Sequence, residues 1–153
     1  MLCLGNICRS PMAESVATAL VAQAGLGGAV VVESYGTSAA HVGQPADPRA
    51  RAALVRGGWP TRPHHARQLS ADALATLDLV CAADAANLAA ARRLGAAAGT
   101  LVLLRTYDPQ AVPGRDDEVP DPYAGGDAGF DACLALIERS CRGLVAELAR
   151  HAR

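Results

Sequence analysis

The sequence predicts an α/β domain built on a parallel sheet, with residues 1–153 forming a single domain. Three short apolar runs, at 29–34, 78–83 and 100–104, have the length and aliphatic content of buried strands. Segments with helical spacing of apolar residues alternate with these runs, which is typical of parallel sheets covered by helices. A chain of 153 residues is long enough to bury the core that such a domain needs.

Composition and charge exclude several classes of protein. The chain is 51% hydrophobic and 19% charged, which is typical of globular rather than disordered proteins. No apolar run approaches the roughly 20 residues of a membrane span, and no signal peptide precedes the first cysteine. A formal net charge of -1 and only 3% aromatic residues argue against a nucleic-acid partner. We therefore expect a cytoplasmic protein that binds neither nucleic acid nor membrane.

The predicted elements of the first half follow from capping residues and glycines. A helix is predicted to begin at Pro11, with Ser10 as its N-cap, and to end before the glycines at 25–28. The first apolar run then forms a strand. Asp47 is expected to cap a second helix that begins at Pro48 and ends at a pair of glycines.

The second half also contains capping residues before its helices, and in addition it contains one long loop. Ser70 and Asp84 are predicted to cap the helices on either side of the second apolar run. Residues 105–126 contain four prolines and three glycines without periodicity, and a loop of this length is usually functional. Asp127 is expected to cap the final helix. Its apolar positions repeat at spacings of four and three: Phe130, Leu134, Ile137, Cys141, Leu144, Val145 and Leu148.

The five cysteines do not form a disulfide or zinc pattern. An odd number of cysteines in an intracellular chain argues against a disulfide framework. Neither a CxxC pair nor a close Cys/His spacing typical of zinc sites is present, so no zinc site is expected. Cys133 and Cys141 fall on the final helix and are interpreted as core residues.

The segment CLGNICRS, residues 3–10, carries the most specific chemistry. Five residues separate Cys3 from Arg9, and a predicted helix follows, so backbone N–H groups of the loop can surround an oxyanion. Gly5 and Asn6 tolerate the positive φ that such a curl requires. The same N–H groups stabilise a Cys3 thiolate, and the planar fork of Arg9 suits two phosphate oxygens. The segment therefore predicts attack on phosphorus with a phosphocysteine intermediate.

The long loop supplies a candidate general acid. Expulsion of a phenolate needs a proton donor, because a tyrosine phenol has a pKa of about 10. Asp121 lies between two prolines and before Tyr123, and Pro122 keeps it in an extended conformation suited to aiming its side chain. Three other aspartates of the same loop remain alternative donors: Asp108, Asp116 and Asp117.

The sequence resembles the low-molecular-weight protein tyrosine phosphatase family. CLGNICRSPMAE (3–14) matches the family's phosphate-loop signature, and Asp121-Pro122-Tyr123 matches its acid-bearing DPY motif. Three further segments resemble family segments in the same order: SYGTSAAHVGQPADPRA (34–50), HHARQLS (64–70) and DLVCAADAANL (78–88). The resemblance covers nearly the whole chain. It implies a three-layer α/β/α fold with a twisted parallel sheet of about four strands and a phosphate-binding loop after the first strand.

The resemblance also implies a role for each matching residue. Cys3 would be the nucleophile, Arg9 the phosphate clamp, and Asp121 the general acid and then the base. Ser10 would donate a hydrogen bond to the thiolate. The phosphate would be bound by the loop residues Leu4, Gly5, Asn6, Ile7, Cys8, Arg9 and Ser10. The loop's shape would be supported by Asn6, Ser10, Ser34 and His64.

Further implications concern redox chemistry and partners. Cys8 matches the family's second cysteine, which can form a reversible disulfide with the nucleophile Cys3 and protect it from over-oxidation. No metal or cofactor is implied. The expected partner is a phosphotyrosine protein substrate, for which a tyrosine kinase is one candidate, and the expected form is a monomer.

The chain departs from the family pattern at three places. Only Met1 and Leu2 precede Cys3, where relatives carry an apolar strand, so we expect a largely truncated first strand and a loss of several kcal/mol of core burial. A misplaced start or a shortened chain would explain this, and a degenerate protein is the alternative. Ala40 and Ala124 stand where relatives usually have aromatic residues. The substrate pocket is therefore expected to be wider, with Ala40 as a wall and Tyr123 as its remaining ring.

Two alternative functions remain open at this stage. A thioredoxin-coupled arsenate reductase shares the fold and the C-x5-R loop but needs closely spaced additional cysteines, whereas Cys81 stands alone with Leu88 nearby. A truncated relative that binds phosphate or phosphotyrosine without turnover is the second alternative. The favoured prediction is hydrolysis of phosphotyrosine.

Overall fold

The computed structural model describes residues 1–152, in which four parallel strands form one sheet. The strands are β1 (Leu2–Cys3), β2 (Tyr35–Gly36), β3 (Val80–Ala82) and β4 (Leu101–Leu103). Their order across the sheet is β2-β1-β3-β4, so β1 has a neighbour on both sides. The residue that follows β1 therefore emerges between two other strand ends, where ligands of open α/β sheets bind.

Residues 1–152 form five α-helices around the sheet. They are α1 (Arg9–Gln23), α2 (Pro48–Arg56), α3 (Ala71–Leu74), α4 (Ala85–Arg93) and α5 (Asp127–His151). Helices α1, α2 and α5 pack against one another, whereas α4 packs on β3 and β4. The predicted three-layer α/β/α class with four parallel strands is confirmed. Among the helices of residues 1–152, none is both long and apolar enough to cross a membrane.

Alternation along the strands divides the core into two apolar clusters. Leu2 and Val80 face a smaller cluster that includes residues of α3 and α4. Their neighbours Cys3 and Cys81 face the opposite side and join the larger cluster formed with α1, α2 and α5. This is the period of two that a pleated strand imposes, with both faces buried under helices.

Helix α5 approaches the sheet closely at one glycine. A Cβ built on Gly143 would lie within bonding range of the Tyr107 carbonyl, so glycine at this position lets the helix lie directly against the short 3₁₀ turn after β4. The predicted stripe of apolar residues on α5 is buried or partly buried along this interface, and Cys133 and Cys141 belong to the core as expected.

The first strand predicted after α1 is misplaced. The first apolar run does not form a strand: residues 30–34 have no assigned strand, Val31 is 86% exposed, and the strand lies at Tyr35–Gly36. Strand β1 contributes only two residues to the ladder, so only two residues of the neighbouring segment pair with it. Strand β1 nevertheless pairs with a neighbour on each side, β2 and β3.

Two predicted N-caps are also wrong, whereas three are confirmed. Helix α1 begins at Arg9 after Cys8, so Ser10 lies inside the helix, and its hydroxyl contacts the Cys3 sulfur instead. Gly126 caps α5, and Asp127 is its first residue. The side chains at the other three predicted caps accept backbone N–H groups of their helices: Asp47, Ser70 and Asp84.

Candidate active site

The loop between β1 and α1 curls around a cavity at the carboxyl edge of the sheet. Asn6 has a φ of 55°, a left-handed conformation that asparagine tolerates better than most residues. Gly36 of β2 lies directly behind the loop, where a Cβ would come within 2.9 Å of the Leu4 carbonyl oxygen. The curl is therefore set by one positive φ and by a glycine on the neighbouring strand.

The sulfur of Cys3 lies within hydrogen-bond distance of a hydroxyl and a backbone N–H. Cys3 Sγ lies 3.0 Å from Ser10 Oγ, and the Asn6 backbone N–H donates to it at 3.3 Å. The Ser10 hydroxyl can also donate to the Tyr35 carbonyl at 3.2 Å, so its single proton has two available acceptors. A thiolate is the stronger acceptor, and the N-terminus of α1 adds a positive dipole end beside it.

The side chain of Asn6 ties the loop to three other segments. Its Nδ2 donates to Ser10 Oγ and to Ser34 Oγ, both at 2.9 Å. Its Oδ1 accepts the Arg67 backbone N–H at 2.9 Å. The backbone carbonyl oxygen of Asn6 lies 2.6 Å from His64 Nε2. Asn6 is fully buried, so these bonds fix the loop from behind.

Arg9 is buried and faces two carboxylates. Its Nη1 donates to Asp84 Oδ2 at 2.7 Å and to the Val119 carbonyl at 3.0 Å, while its Nη2 lies 3.4 Å from Asp121 Oδ2. Burial alone would lower the pKa of Arg9, but the hydrogen bond with Asp84 and the negative charges of Cys3 and Asp121 outweigh it and raise the pKa. Arg9 therefore stays charged, and its orientation is fixed at one end by Asp84.

Asp121 reaches the site, whereas the three alternative aspartates do not. Its carboxyl is 45% exposed, contacts Arg9 and accepts the Tyr123 N–H at 3.1 Å. Each alternative is held elsewhere: Asp108 by Arg139, Asp116 by Arg115, and Asp117 by the Gly114 N–H. Of the four candidate donors, Asp121 is the one that lines the cavity.

The cavity has a volume of about 190 Å³ and brings together most of the predicted site residues. Its lining consists of Cys3, Leu4, Gly5, Ile7, Cys8, Arg9, Ser38, Ala40, His41, Asp121 and Tyr123. Ser38 and His41 were not among the predictions. The rings of His41 and Tyr123 lie on the same rim, with centroids 6.4 Å apart. Ala40 also lines the cavity, with a side chain of a single methyl group.

The four remaining cysteines differ from Cys3 in their surroundings. Burial is the main cause that raises the pKa of Cys8 to about 12, of Cys133 to about 12 and of Cys81 to about 11, and it raises that of Cys141 further. These thiols stay protonated at neutral pH. Within residues 1–152 all five cysteines are free, and no cluster of His, Cys, Asp or Glu could hold a metal ion.

Sequence reasoning missed three residues that support the site. Asp84 was interpreted only as a helix cap, yet it also orients Arg9. Glu14 accepts the Ser34 hydroxyl, and the Arg67 backbone N–H holds Asn6. A signal for Asp84 existed: it follows β3 within two residues, at the strand edge where Cys3 also emerges.

Comparisons with known proteins identify a matching family. The family model for low molecular weight phosphotyrosine protein phosphatase matches residues 1–153. A low molecular weight protein-tyrosine-phosphatase of Streptomyces coelicolor is 49% identical over 148 residues, covering 95% of this chain and 89% of the relative. The low molecular weight phosphotyrosine protein phosphatase of Homo sapiens is 35% identical over 148 residues, covering 94% of this chain and 90% of the relative.

Solved structures show the same fold. A protein tyrosine phosphatase from Entamoeba histolytica, crystallised with Hepes in its active site, superposes with a TM-score of 0.90 at 28% identity, covering 99% of this chain and 96% of that one. YfkJ from Bacillus subtilis superposes with a TM-score of 0.88 at 32% identity, covering 99% and 94% of the two chains.

Proposed function

The chain belongs to the low molecular weight protein tyrosine phosphatase family, and on that premise we propose that it hydrolyses phosphotyrosine through a phosphocysteine intermediate. Members of the family are phosphoric monoester hydrolases, so the proposal concerns which residues perform each step. The observation that carries it is that one cavity is lined by the Cys3 sulfur, the Arg9 guanidinium and the Asp121 carboxyl.

In the first step the Cys3 thiolate attacks phosphorus in line with the ester bond. The S–P bond forms as the P–O bond breaks, and Asp121 gives its proton to the departing phenol oxygen. Arg9 and the loop N–H groups bind the equatorial oxygens, on which charge accumulates in the transition state. The contact between Arg9 and Asp84 supports this role, because it fixes the guanidinium before substrate arrives.

In the second step water attacks the phosphocysteine. The Asp121 carboxylate accepts the proton of that water, the P–S bond breaks, and its electron pair returns to Cys3 as inorganic phosphate leaves. The Ser10 hydroxyl, 3.0 Å from the sulfur, donates to the departing thiolate. The same groups therefore serve both steps, with Asp121 first acid and then base.

The shape of the cavity supports aryl phosphates on proteins as substrates. Tyr123 is 52% exposed at the rim and offers a ring against which the substrate ring packs. Ala40 contributes only a methyl group to the lining, so the proposed pocket accepts bulky aryl groups with little selection. A phosphotyrosine protein, such as a tyrosine kinase, is the proposed substrate class.

Cys8 is the proposed redox partner of Cys3. Peroxide oxidises the Cys3 thiolate to a sulfenic acid, and the Cys8 thiol then displaces water from it to form a disulfide. The raised pKa of Cys8, about 12, supports this order, because Cys8 stays a protonated thiol and is not the group that peroxide oxidises first. Cys8 lines the same cavity as Cys3.

The site gives little support to the two alternative functions. An arsenate reductase would need an accessible relay cysteine, whereas Cys81 is 4% exposed on β3 and its burial raises its pKa to about 11. A binding protein without turnover would not need a proton donor, yet Asp121 contacts the phosphate clamp Arg9 directly.

Hydrolysis of two aryl phosphates tests the proposal. Cys3→Ser is expected to abolish turnover of both, and EDTA to leave the unsubstituted protein unaffected. Asp121→Ala is expected to lower kcat/KM by about 10²–10⁴-fold for phosphotyrosine, the usual contribution of a general acid. The loss should be small for p-nitrophenyl phosphate, whose electron-poor phenolate leaves without a proton.

Asp117→Asn is the matched control, because this aspartate lies in the same loop and bonds the Gly114 N–H outside the cavity. It is expected to leave both rates unchanged. Turnover that persists in Cys3→Ser would contradict the nucleophile. Equal losses for the two esters in Asp121→Ala would contradict the general acid.

A further inference from the structure

Arg49, on the first turn of α2, contacts the loop that carries Asp121. Its Nη1 donates to the Tyr123 carbonyl at 2.9 Å and to the Gly125 carbonyl at 3.1 Å. Its guanidinium carbon lies 4.7 Å from the centre of the buried Phe130 ring and 5.4 Å from that of Tyr123. The Arg49 side chain therefore holds the backbone that follows Asp121, at Tyr123 and Gly125.

The other edge of the Arg49 guanidinium is bound to Asp47. Its Nε donates to Asp47 Oδ1 at 3.0 Å and its Nη2 to Asp47 Oδ2 at 2.8 Å, and Asp47 Oδ1 also accepts the Arg49 backbone N–H. The hydrogen bond from Arg49 lowers the pKa of Asp47. Burial would raise this pKa, but the hydrogen bond outweighs it. The Asp47 backbone N–H in turn donates to the Ile7 carbonyl of the phosphate loop at 2.8 Å.

These contacts form a continuous link between the nucleophile loop and the acid loop. It runs from Ile7 through Asp47 and Arg49 to the backbone of Tyr123, whose own N–H binds the Asp121 carboxyl at 3.1 Å. Asp121 itself is about half exposed, and its direct contact with Arg9 is long at 3.4 Å. Its position therefore depends on what fixes the chain beside it.

We propose that Arg49 is a positioning residue that places the Asp121 carboxyl against the phosphate loop for proton transfer. The proposal rests on the general-acid role proposed above for Asp121. Arginine suits the task because its planar fork binds a carboxylate along one edge and two carbonyls along another. A lysine ammonium can make only part of this set. Arg49 does not line the cavity and is not itself a catalytic residue.

The experiment compares Arg49→Ala with Arg56→Ala on two esters. Arg56 is a matched control, since it lies on the same helix, has a side chain 40% exposed against 36% for Arg49, and binds Asp131 of α5 instead of the acid loop. Arg49→Ala is expected to lower kcat/KM about tenfold or more for phosphotyrosine, since misplacement of a catalytic group by about 1 Å can cost up to 10²-fold. For p-nitrophenyl phosphate the loss should stay below about threefold, and Arg56→Ala should change neither rate.

A double variant tests whether Arg49 acts through Asp121. In an Asp121→Ala background, Arg49→Ala is expected to cause less than about a twofold further loss, because the group it positions is gone. Arg49→Lys is expected to show the same dependence on the ester with a smaller loss, and its milder change guards against a folding defect in Arg49→Ala. Thermal unfolding of each variant checks the fold.

Three results would overturn the proposal. The first is an equal loss of kcat/KM for the two esters in Arg49→Ala and Arg49→Lys. The second is a loss from Arg49→Ala in the Asp121→Ala background as large as in the unsubstituted protein. The third is a kcat/KM for Arg49→Ala equal to that of Arg56→Ala on both esters. The failure of the proposed function has a different signature, because it would appear as equal losses for the two esters in Asp121→Ala alone.

Discussion

Asp84 makes two hydrogen bonds with different partners, and both depend on its two carboxylate oxygens. Its Oδ1 accepts the Asn87 N–H at the start of α4, and its Oδ2 accepts Arg9 Nη1 at 2.7 Å. An asparagine has one acceptor oxygen and one amide nitrogen, so it cannot satisfy both donors. Arg9 is 4% exposed, and the Val119 carbonyl is its only other acceptor within 3.0 Å in the described part of the chain.

We therefore expect Asp84→Asn to weaken phosphate binding and catalysis through Arg9. A hydrogen bond to a charged group contributes about 1.5–3 kcal/mol, so kcat/KM should fall by about 10–100-fold. The loss should be equal for phosphotyrosine and p-nitrophenyl phosphate, because in the proposed mechanism Arg9 acts on the phosphoryl oxygens and not on the leaving group. Steady-state kinetics and inhibition by inorganic phosphate measure this.

Asp72→Asn is the control, because this residue is exposed on the first turn of α3 and lies outside the cavity. It should leave the kinetics unchanged. A loss in Asp84→Asn confined to the poorer leaving group would show that Asp84 acts on the proton donor and not on the phosphate clamp.

At the scale of elements, β2 shapes the phosphate loop. An added Cβ on Gly36 would lie 2.9 Å from the Leu4 carbonyl oxygen and 3.1 Å from the Asn6 nitrogen. These are backbone atoms of the loop and cannot rotate away as a side chain could. Only glycine at this position lets the second strand lie against the curl that follows the first.

We expect Gly36→Ala to displace the loop and to reduce kcat/KM by at least about tenfold on both esters, since small misplacements of binding groups are costly. Overpacking of this kind costs about 1–3 kcal/mol, so the free energy of unfolding should fall as well. Gly27→Ala is the control, because nothing lies within 4 Å of its added Cβ. Unchanged affinity for inorganic phosphate in Gly36→Ala would contradict this prediction.

Sequence patterns predicted the helices better than the strands. The caps at Asp47, Ser70 and Asp84 were predictable because each side chain bonds its own helix, a local interaction. The strand predicted at 29–34 was not, since a strand exists only where a neighbouring backbone pairs with it, and β1 pairs with Tyr35–Gly36. Ser10 was assigned as a cap by residue type, but its hydroxyl contacts the Cys3 sulfur and accepts the Asn6 side-chain amide instead.

At the scale of the whole molecule, Asp108 joins the segment after β4 to the last helix. Its carboxyl is fully buried, binds Arg139 of α5 and lies 3.6 Å from Arg105. Burial alone would raise the pKa of Asp108, but the Gln110 N–H and the two arginines outweigh it, and the pKa is lowered. The ionised form is therefore part of what holds α5 against the rest of the domain.

The unfolded chain binds a proton at Asp108 more readily than the folded one, so stability must rise with pH through this window. The contribution of the carboxylate is complete above its unfolded pKa of about 3.9 and is lost as pH falls through the lower folded pKa. Asp108→Asn is expected to lower the free energy of unfolding at pH 7 by about 2–3 kcal/mol and to flatten its decline below pH 5. Urea unfolding between pH 3 and pH 7 measures both effects.

Asp78→Asn is the matched control, because Asp78 is exposed and makes no ion pair in the described residues. Its unfolding should show the slope of the unsubstituted chain. An Asp108→Asn variant as stable as that chain at pH 7 would contradict a stabilising role for the buried carboxylate.

The sequence by itself determined the fold class and the kind of chemistry. Alternating apolar runs and helical periodicity sufficed for an α/β domain, because burial repeats along the chain. The segment from Cys3 to Arg9 could be recognised in the sequence because a phosphate loop is made by consecutive residues, whose backbone conformation depends on local residue types.

Only the tertiary structure decided which distant residues meet that loop. Of four aspartates it brought Asp121 to the cavity, it paired Arg9 with Asp84, and it linked Ile7 to the loop of Tyr123 through Arg49. Such contacts join residues up to 112 positions apart, and nothing periodic or local in the sequence specifies them. They arise because parallel strands bring their carboxyl ends to one edge of the sheet, where separate loops converge.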